Sequence, residues 1–177
     1  LDLQMKFEFD LKNFPTHIEK TDNKVAVNKF VKINNQSIYN GAINRFTRNT
    51  VIKNMHKYIE NELIKHDFKS ISFKSAVSIS FKIKTVLNHG NISRRSGKIN
   101  WKKPSKKYVP NWDIENLASI WIKCINDVLV KNGVILDDNV YFLSKISYEF
   151  EEVQDINDLE IKIKIIDNEE ENTIRIT

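Results

Sequence analysis

Glycine, cysteine, histidine and proline are all scarce in this chain of 177 residues, with 4, 1, 4 and 3 copies respectively. An average glycine share would give about 12. Gly41, Gly90, Gly97 and Gly133 stand too far apart to build a G-x-G-x-x-G turn or a phosphate loop, so binding of a nucleotide cofactor through glycine-rich backbone is excluded, and with it a Rossmann or P-loop enzyme. The lone Cys124 rules out an intrachain disulfide and a multi-cysteine zinc site, and reads as a small core residue. His17, His56, His66 and His89 share no metal-ligand spacing and no Ser or Cys partner pattern, which leaves a zinc hydrolase or a catalytic triad without support. No apolar run approaches the about 18 residues of a membrane helix, and the opening residues lack a charged-then-apolar secretory plan. The expectation is a reducing, cytoplasmic setting with no membrane partner.

What is present is periodicity. Residues 5–11 alternate, with Phe7, Phe9 and Leu11 on one side and Lys6, Glu8 and Asp10 on the other, which predicts a half-buried strand. Residues 76–86 alternate again through Val77, Ile79, Phe81 and Ile83, and the stripe Leu159, Ile161, Ile163, Ile165 marks another strand, preceded by one over 140–150. Val51, Met55, Ile59, Leu63 and Ile64 recur at helical spacing over 50–66. A second helix follows from Ile114, Leu117, Trp121, Cys124, Ile125 and Val128, closing at Lys131-Asn132-Gly133, where glycine takes a left-handed cap. The length fits one domain over 1–177. Its expected class is α/β of the α+β kind, a single mixed sheet of about four strands with two main helices. Residues 25–43 are Asn-rich and read as irregular, 87–110 as a long loop or arm, and 168–177 as a frayed acidic tail.

The net charge of +5 conceals a strong asymmetry. From Lys82 to Lys107 there are nine Lys or Arg and no acid, whereas Glu149 to Glu171 carries ten acids against Lys162 and Lys164. A positive flank of this kind suits nucleic acid, because each phosphate neutralised releases counterions; it is also what a solvated basic loop looks like. Arg94, Arg95, Lys102, Lys103, Lys106 and Lys107, interleaved with Trp101 and Tyr108, are the arm's candidate phosphate contacts. Lys29, Arg45 and Arg48 are further candidates on charge alone. The aromatic residues, Trp112 included, either stack on an exposed base or pack against their own domain.

The second helix is flanked by four carboxylates: Asp113 and Glu115 in Asn111-Trp112-Asp113-Ile114-Glu115-Asn116-Leu117 at its start, and Asp137 and Asp138 in Gly133-Val134-Ile135-Leu136-Asp137-Asp138-Asn139 after its end. Taken singly, Asp113 reads as a helix N-cap and residues 137–139 as a polar turn. Taken together, and if the turn returns beside the start of the helix, they form a cluster that only a cation or protons can neutralise. Mg²⁺ suits such a set, since it takes one or two carboxylates and fills its shell with water and phosphate oxygens.

The string Asp-x-Glu-Asn-Leu, the helix containing Asn126-Asp127-Val128-Leu129, and the following Gly-Val-Ile-Leu-Asp-Asp together resemble the core signature of the RusA family of Holliday-junction resolvases. That family is small, dimeric and Mg²⁺-dependent, often encoded by phages and prophages. The resemblance implies that Asp113, Glu115 and Asp138, with Asp137 beside the last, are the metal-binding and catalytic carboxylates, that Asn116 is the motif's asparagine at the DNA, and that Mg²⁺, with Mn²⁺ as a substitute, is the cofactor. It implies a branched-DNA partner in the form of a four-way junction, paired nicks, and a homodimer. Two positions depart from the family. Glu115 stands where the family has aspartate, one methylene longer. The family's lysine, four residues on, is Ser119 here; counted back from Asp127 it falls on Lys123, eight residues and about 12 Å along the axis from Glu115. These departures keep open a different reading, a DNA-binding regulatory or recombination accessory protein with weak or lost catalysis.

Overall fold

The computed structural model describes residues 5–15, 17–20, 29–33, 38–39, 44–85, 91–92, 99–100, 114–153 and 158–168. In chain order its elements are β1 (Lys6–Lys12), β2 (His17–Lys20), β3 (Lys29–Lys32), α1 (Arg45–Ile64), β4 (Val77–Thr85), β5 (Asn91–Ile92), β6 (Ile99–Asn100), α2 (Ile114–Lys131), β7 (Leu143–Glu152) and β8 (Glu160–Asp167). Four strands make one mixed sheet in the order β1-β8-β4-β7: β8 runs antiparallel to both its neighbours, and β4 pairs parallel with β7. The chain is thus α+β, as the two periodicities predict. Two short antiparallel ribbons are added, β2 with β3 and β5 with β6: β3, β5 and β6 fall in stretches read from the sequence as irregular or as a loop, and β2 in one given no element.

The topology explains where the helices lie. β1 and β4 are parallel because both oppose β8, so β1-α1-β4 and β4-α2-β7 are successive crossovers moving in one direction across the sheet. Right-handed crossovers of that kind set both helices on the same face. The register does the rest. Phe9, Ile163 and Phe81 line up across three strands, as do Leu11, Ile161 and Ile83, and all six are buried. Fully burying one such side chain is worth about 1.5–3 kcal/mol. The opposite face carries Glu8, Lys164, Ser80 and Ser147 in one row and Asp10, Lys162, Lys82 and Glu149 in the next, an open polar surface.

α1 buries a narrow stripe, Thr47, Val51, Met55, Ile59 and Leu63, one residue per turn. It starts five residues earlier than the apolar pattern suggests, because Asn44 caps it with Oδ1 accepting the Thr47 N–H at 2.9 Å. α2 buries a wider arc, from Leu117, Ala118, Ile120 and Trp121 to Cys124, Ile125, Val128 and Leu129, so it is the central helix. Its end is the predicted left-handed cap. Gly133 has φ +72°, the Gly133 N–H reaches Val130 O at 3.0 Å, and the Val134 N–H reaches Leu129 O at 2.9 Å.

Candidate functional site

Glu115 lies in the first turn of α2 with its side chain exposed, and Asn116 next to it is half-buried. Asp113, the residue on which the resemblance leans most, lies outside the described residues, as do Arg94, Arg95, Lys102, Lys103, Lys106 and Lys107. Lys29 is described by its backbone alone, in β3. Arg45 opens α1 and is exposed. Arg48 is already engaged: its Nε donates to Ile38 O at 3.0 Å, and its guanidinium sits 5.5 Å from the Tyr39 ring centroid.

Asp137 and Asp138 occupy the turn before β7, and the two carboxylates do different things. Asp137 Oδ1 accepts the Asp138 N–H at 2.8 Å and its Oδ2 accepts from Asn139 Nδ2 at 2.7 Å. Asn139 Oδ1 in turn accepts the Tyr141 N–H at 2.9 Å, so the turn is braced by its own side chains. Asp138 is exposed, and among the described residues its carboxylate holds no hydrogen bond or ion pair.

The expectation that this turn returns beside the start of α2 is not met within one protomer. Trp121 packs edge-on against Phe14 at 5.4 Å and Tyr58 at 6.1 Å, and the Tyr58 hydroxyl donates to Lys12 O at 3.1 Å. That places the first half of α2 over the C-terminal ends of β1 and β4. The other end of α2 meets the chain before β4, where the Phe73 N–H donates to Val134 O at 2.9 Å. The Val77 N–H then donates to Phe142 O at 2.8 Å, and the Leu143 N–H to Asn139 O at 2.8 Å, pinning the turn at the N-terminal ends of β4 and β7. From Glu115 to Lys131 the helix alone spans about 24 Å. The reason is helix length: α2 runs unbroken for 18 residues and the link after it is tied down too early to retrace that distance. Among the described residues no three His, Cys, Asp or Glu side chains stand close enough together to hold a metal ion.

Lys123 is also placed away from Glu115. Its Nζ lies 3.6 Å from Asp127 Oδ1 one turn further along α2, and Asp127 Oδ2 lies 3.2 Å from His56 Nε2 on α1. The His56 contact is too bent for a hydrogen bond, so it ties the helices together as an ion pair only when the imidazole is protonated. Asn126, in the middle of the string that matches the family, is buried, and its Oδ1 has no hydrogen-bond partner. Cys124 belongs to the core as expected; burial, with Asp127 adding to it, pushes its thiol up to about 12, which makes it a poor nucleophile.

One surface was missed in the sequence reading. The open face of the sheet is concave, with a volume of about 730 Å³ lined by Lys82, Lys162, Lys164, Ser80, Ser147 and acids at its rim. Alternation shows that each strand has a polar face, but which lysines converge depends on register, which strand order alone decides. No described helix is long and apolar enough to cross a membrane. Set against known proteins, the chain matches no family model and no curated protein.

Proposed function

We propose that this chain is a Mg²⁺-dependent, structure-specific endodeoxyribonuclease that acts on branched DNA, with the four-way junction as its substrate and a homodimer as its working form. The observation that carries the reading is the 113–138 string together with the freedom of Asp138. In a turn where the polar side chains on either side of it, Asp137 and Asn139, are both engaged, one carboxylate is left exposed and uncommitted, as a cation ligand would be. Carboxylate oxygens are the hard donors Mg²⁺ prefers, and one or two of them suffice alongside water and phosphate. Asp113 and Glu115 at the head of α2 supply such a pair, and Asp138 a third ligand from the far end.

When bound, Mg²⁺ supplies an activated water and offsets charge on the phosphate. The chain's own residues supply the rest. Glu115 and Asp138 accept, orient and hold; Asn116 stands beside Glu115 at the head of α2; the arm's cations at 94–107 and Arg45 hold phosphates by charge. A cytoplasmic setting agrees with the single buried thiol.

The second reading, a DNA-binding accessory protein without efficient catalysis, is favoured by one specific observation. Glu115 and Asp138 sit at opposite ends of α2 within a protomer, so one copy alone does not assemble the set. Nicking of a synthetic four-way junction in Mg²⁺ or Mn²⁺ separates the two: the nuclease cuts, and the accessory protein binds the junction tightly and leaves it whole with either ion.

A further inference from the structure

On the open face of the sheet, two rows of side chains break a rule that the next row obeys. Lys12, Glu160, Lys84 and Glu151 lie level across β1, β8, β4 and β7, so charge alternates in sign at every step. Lys84 and Glu160 stand 3.6 Å apart, as cross-strand pairs that stabilise a sheet do. One row over, the order is Asp10, Lys162, Lys82, Glu149, and in the row beyond it Glu8, Lys164, Ser80, Ser147. Lys82 therefore faces Lys162 directly on the two inner strands, and Lys164 is diagonal to Lys82. Like charges opposed in this way destabilise a strand pair. The two irregular rows, and nothing of the regular one, line the concavity of about 730 Å³.

The neighbouring acids do little to relieve these lysines. Glu8, opposite Lys164, lies 2.9 Å from Lys6 on its own strand, and Asp10, opposite Lys162, is shared between His66 at 3.5 Å and Lys12 at 3.8 Å. Lys162 keeps one contact, at 4.0 Å, with a Glu160 that is closer to Lys84. Lys82 is the exception, reaching Glu151 at 3.3 Å and Glu149 at 3.9 Å. Lys164 is half-buried, and among the described residues it has no ion pair or hydrogen bond; the hydroxyls of Ser80 and Ser147 have none either. Lys82, Lys162, Lys164 and Ser80 thus offer their donors within one patch of about 5 by 7 Å, one strand spacing by two residues.

We infer that the open face of the sheet binds a small phosphorylated sugar, with the phosphate over Lys82, Lys162, Lys164 and Ser80 and the sugar hydroxyls on the acids of the edge strands. A phosphomonoester carries about −1.5 to −2 charges at pH 7 and three acceptor oxygens, which suit a patch of ammonium and hydroxyl donors. The borders select the rest of the ligand. Glu8 and Asp10 on β1 and Glu149 on β7 only accept hydrogen bonds, and they flank the lysines across about 14 Å, three strand spacings. They repel the run of phosphates in a nucleic-acid backbone laid across the face, and they take hydrogen bonds from sugar hydroxyls. The volume is in the range of small-ligand sites and exceeds what a bare phosphate fills. Both helices lie on the other side of the sheet, so the site makes no use of Glu115 and does not rest on the nuclease reading.

Titration of the full chain with ribose 5-phosphate, followed by calorimetry and by amide NMR shifts, tests the site. Binding has a dissociation constant below about 1 mM, with shifts centred on residues 80, 82, 147, 162 and 164 and none on the two helices. Lys164→Ala removes a side chain without a partner, so Tm stays unchanged while binding weakens at least tenfold. Lys145→Ala, an exposed lysine of the same face outside the concavity, leaves binding within twofold. Inorganic phosphate binds at least tenfold more weakly than ribose 5-phosphate, and ribose alone does not bind. Absence of binding up to about 10 mM, or an unchanged affinity in Lys164→Ala, overturns the site. Inorganic phosphate as tight as ribose 5-phosphate overturns the sugar assignment. Displacement of ribose 5-phosphate from the same residues by a single-stranded oligonucleotide lacking terminal phosphates overturns the small-ligand reading and makes the face a nucleic-acid track.

Discussion

The carboxylate of Asp137 holds the backbone N–H of the next residue, Asp138, at 2.8 Å, and by doing so aims the following side chain outward with nothing to bind. Two adjacent acids that look interchangeable in sequence are thereby given different work. Asp138→Asn should lower junction nicking at least a hundredfold with little change in Tm, because an exposed carboxylate with no partner carries no folding energy. Asp137→Ala should do the reverse, keeping nicking within tenfold while losing about 1 kcal/mol for each hydrogen bond removed from the turn. Parallel cleavage assays and thermal melts on the two variants check the split, and equal loss of activity in both would undo it.

The engagement of Lys123 with Asp127 leads to a different expectation for the two charged residues on α2. Lys123→Ala should leave nicking within threefold and cost less than about 0.5 kcal/mol, the usual worth of an exposed i,i+4 pair. Glu115→Gln should remove activity while junction binding persists. Cleavage rates measured at saturating junction decide it; a hundredfold fall for Lys123→Ala would mean that the lysine reaches the phosphate after all.

Gly133 provides a test of the fold that is independent of function. A methyl group added there would meet nothing within 4 Å, so any cost comes from the backbone at φ +72° alone. Gly133→Ala should destabilise by about 1 kcal/mol, and urea unfolding should show it as a lower midpoint at unchanged slope.

Burial holds the Cys124 thiol protonated up to about pH 12, above its ordinary value of 9, and pushes the Tyr58 phenol up as well. Both are acids whose folded pKa lies above the unfolded one. Their contribution is therefore neutral below about pH 9 and becomes destabilising as pH rises beyond that, because the unfolded chain releases the protons and the folded chain keeps them. Stability should fall from pH 9 upward, less steeply in Cys124→Ala. Alkylation of Cys124 in the native protein should stay slow at pH 9 and become fast in denaturant; rapid native labelling would contradict its place in the core.

Much of this fold was legible in the sequence because it is written in periods. The Ile161-Ile163-Ile165 stripe, the one-per-turn Val51 to Leu63 row and the Gly133 cap each rest on local chemistry, and each stands where the pattern puts it. The register that groups Lys82, Lys162 and Lys164 was not legible, since β8 comes last in the chain and inserts between β1 and β4. The site was half legible. Residue types and spacing single out Glu115 and Asp138, but whether they meet depends on how long α2 runs before it turns, and an 18-residue helix keeps them apart. The difference between Asp137 and Asp138 is likewise a matter of one hydrogen bond that no composition reveals.

Whether this chain cuts branched DNA by means of a carboxylate-held metal is decided on the DNA itself. The most direct test is incubation of the wild-type protein with a synthetic four-way junction labelled on each strand, with Mg²⁺, with Mn²⁺ and with chelator, beside Asp138→Asn. Paired nicks on opposed strands, present with either ion and absent with chelator and in the variant, are the predicted result. Tight, junction-selective binding with every strand intact under both ions would contradict it, and would make the chain a DNA-binding protein instead.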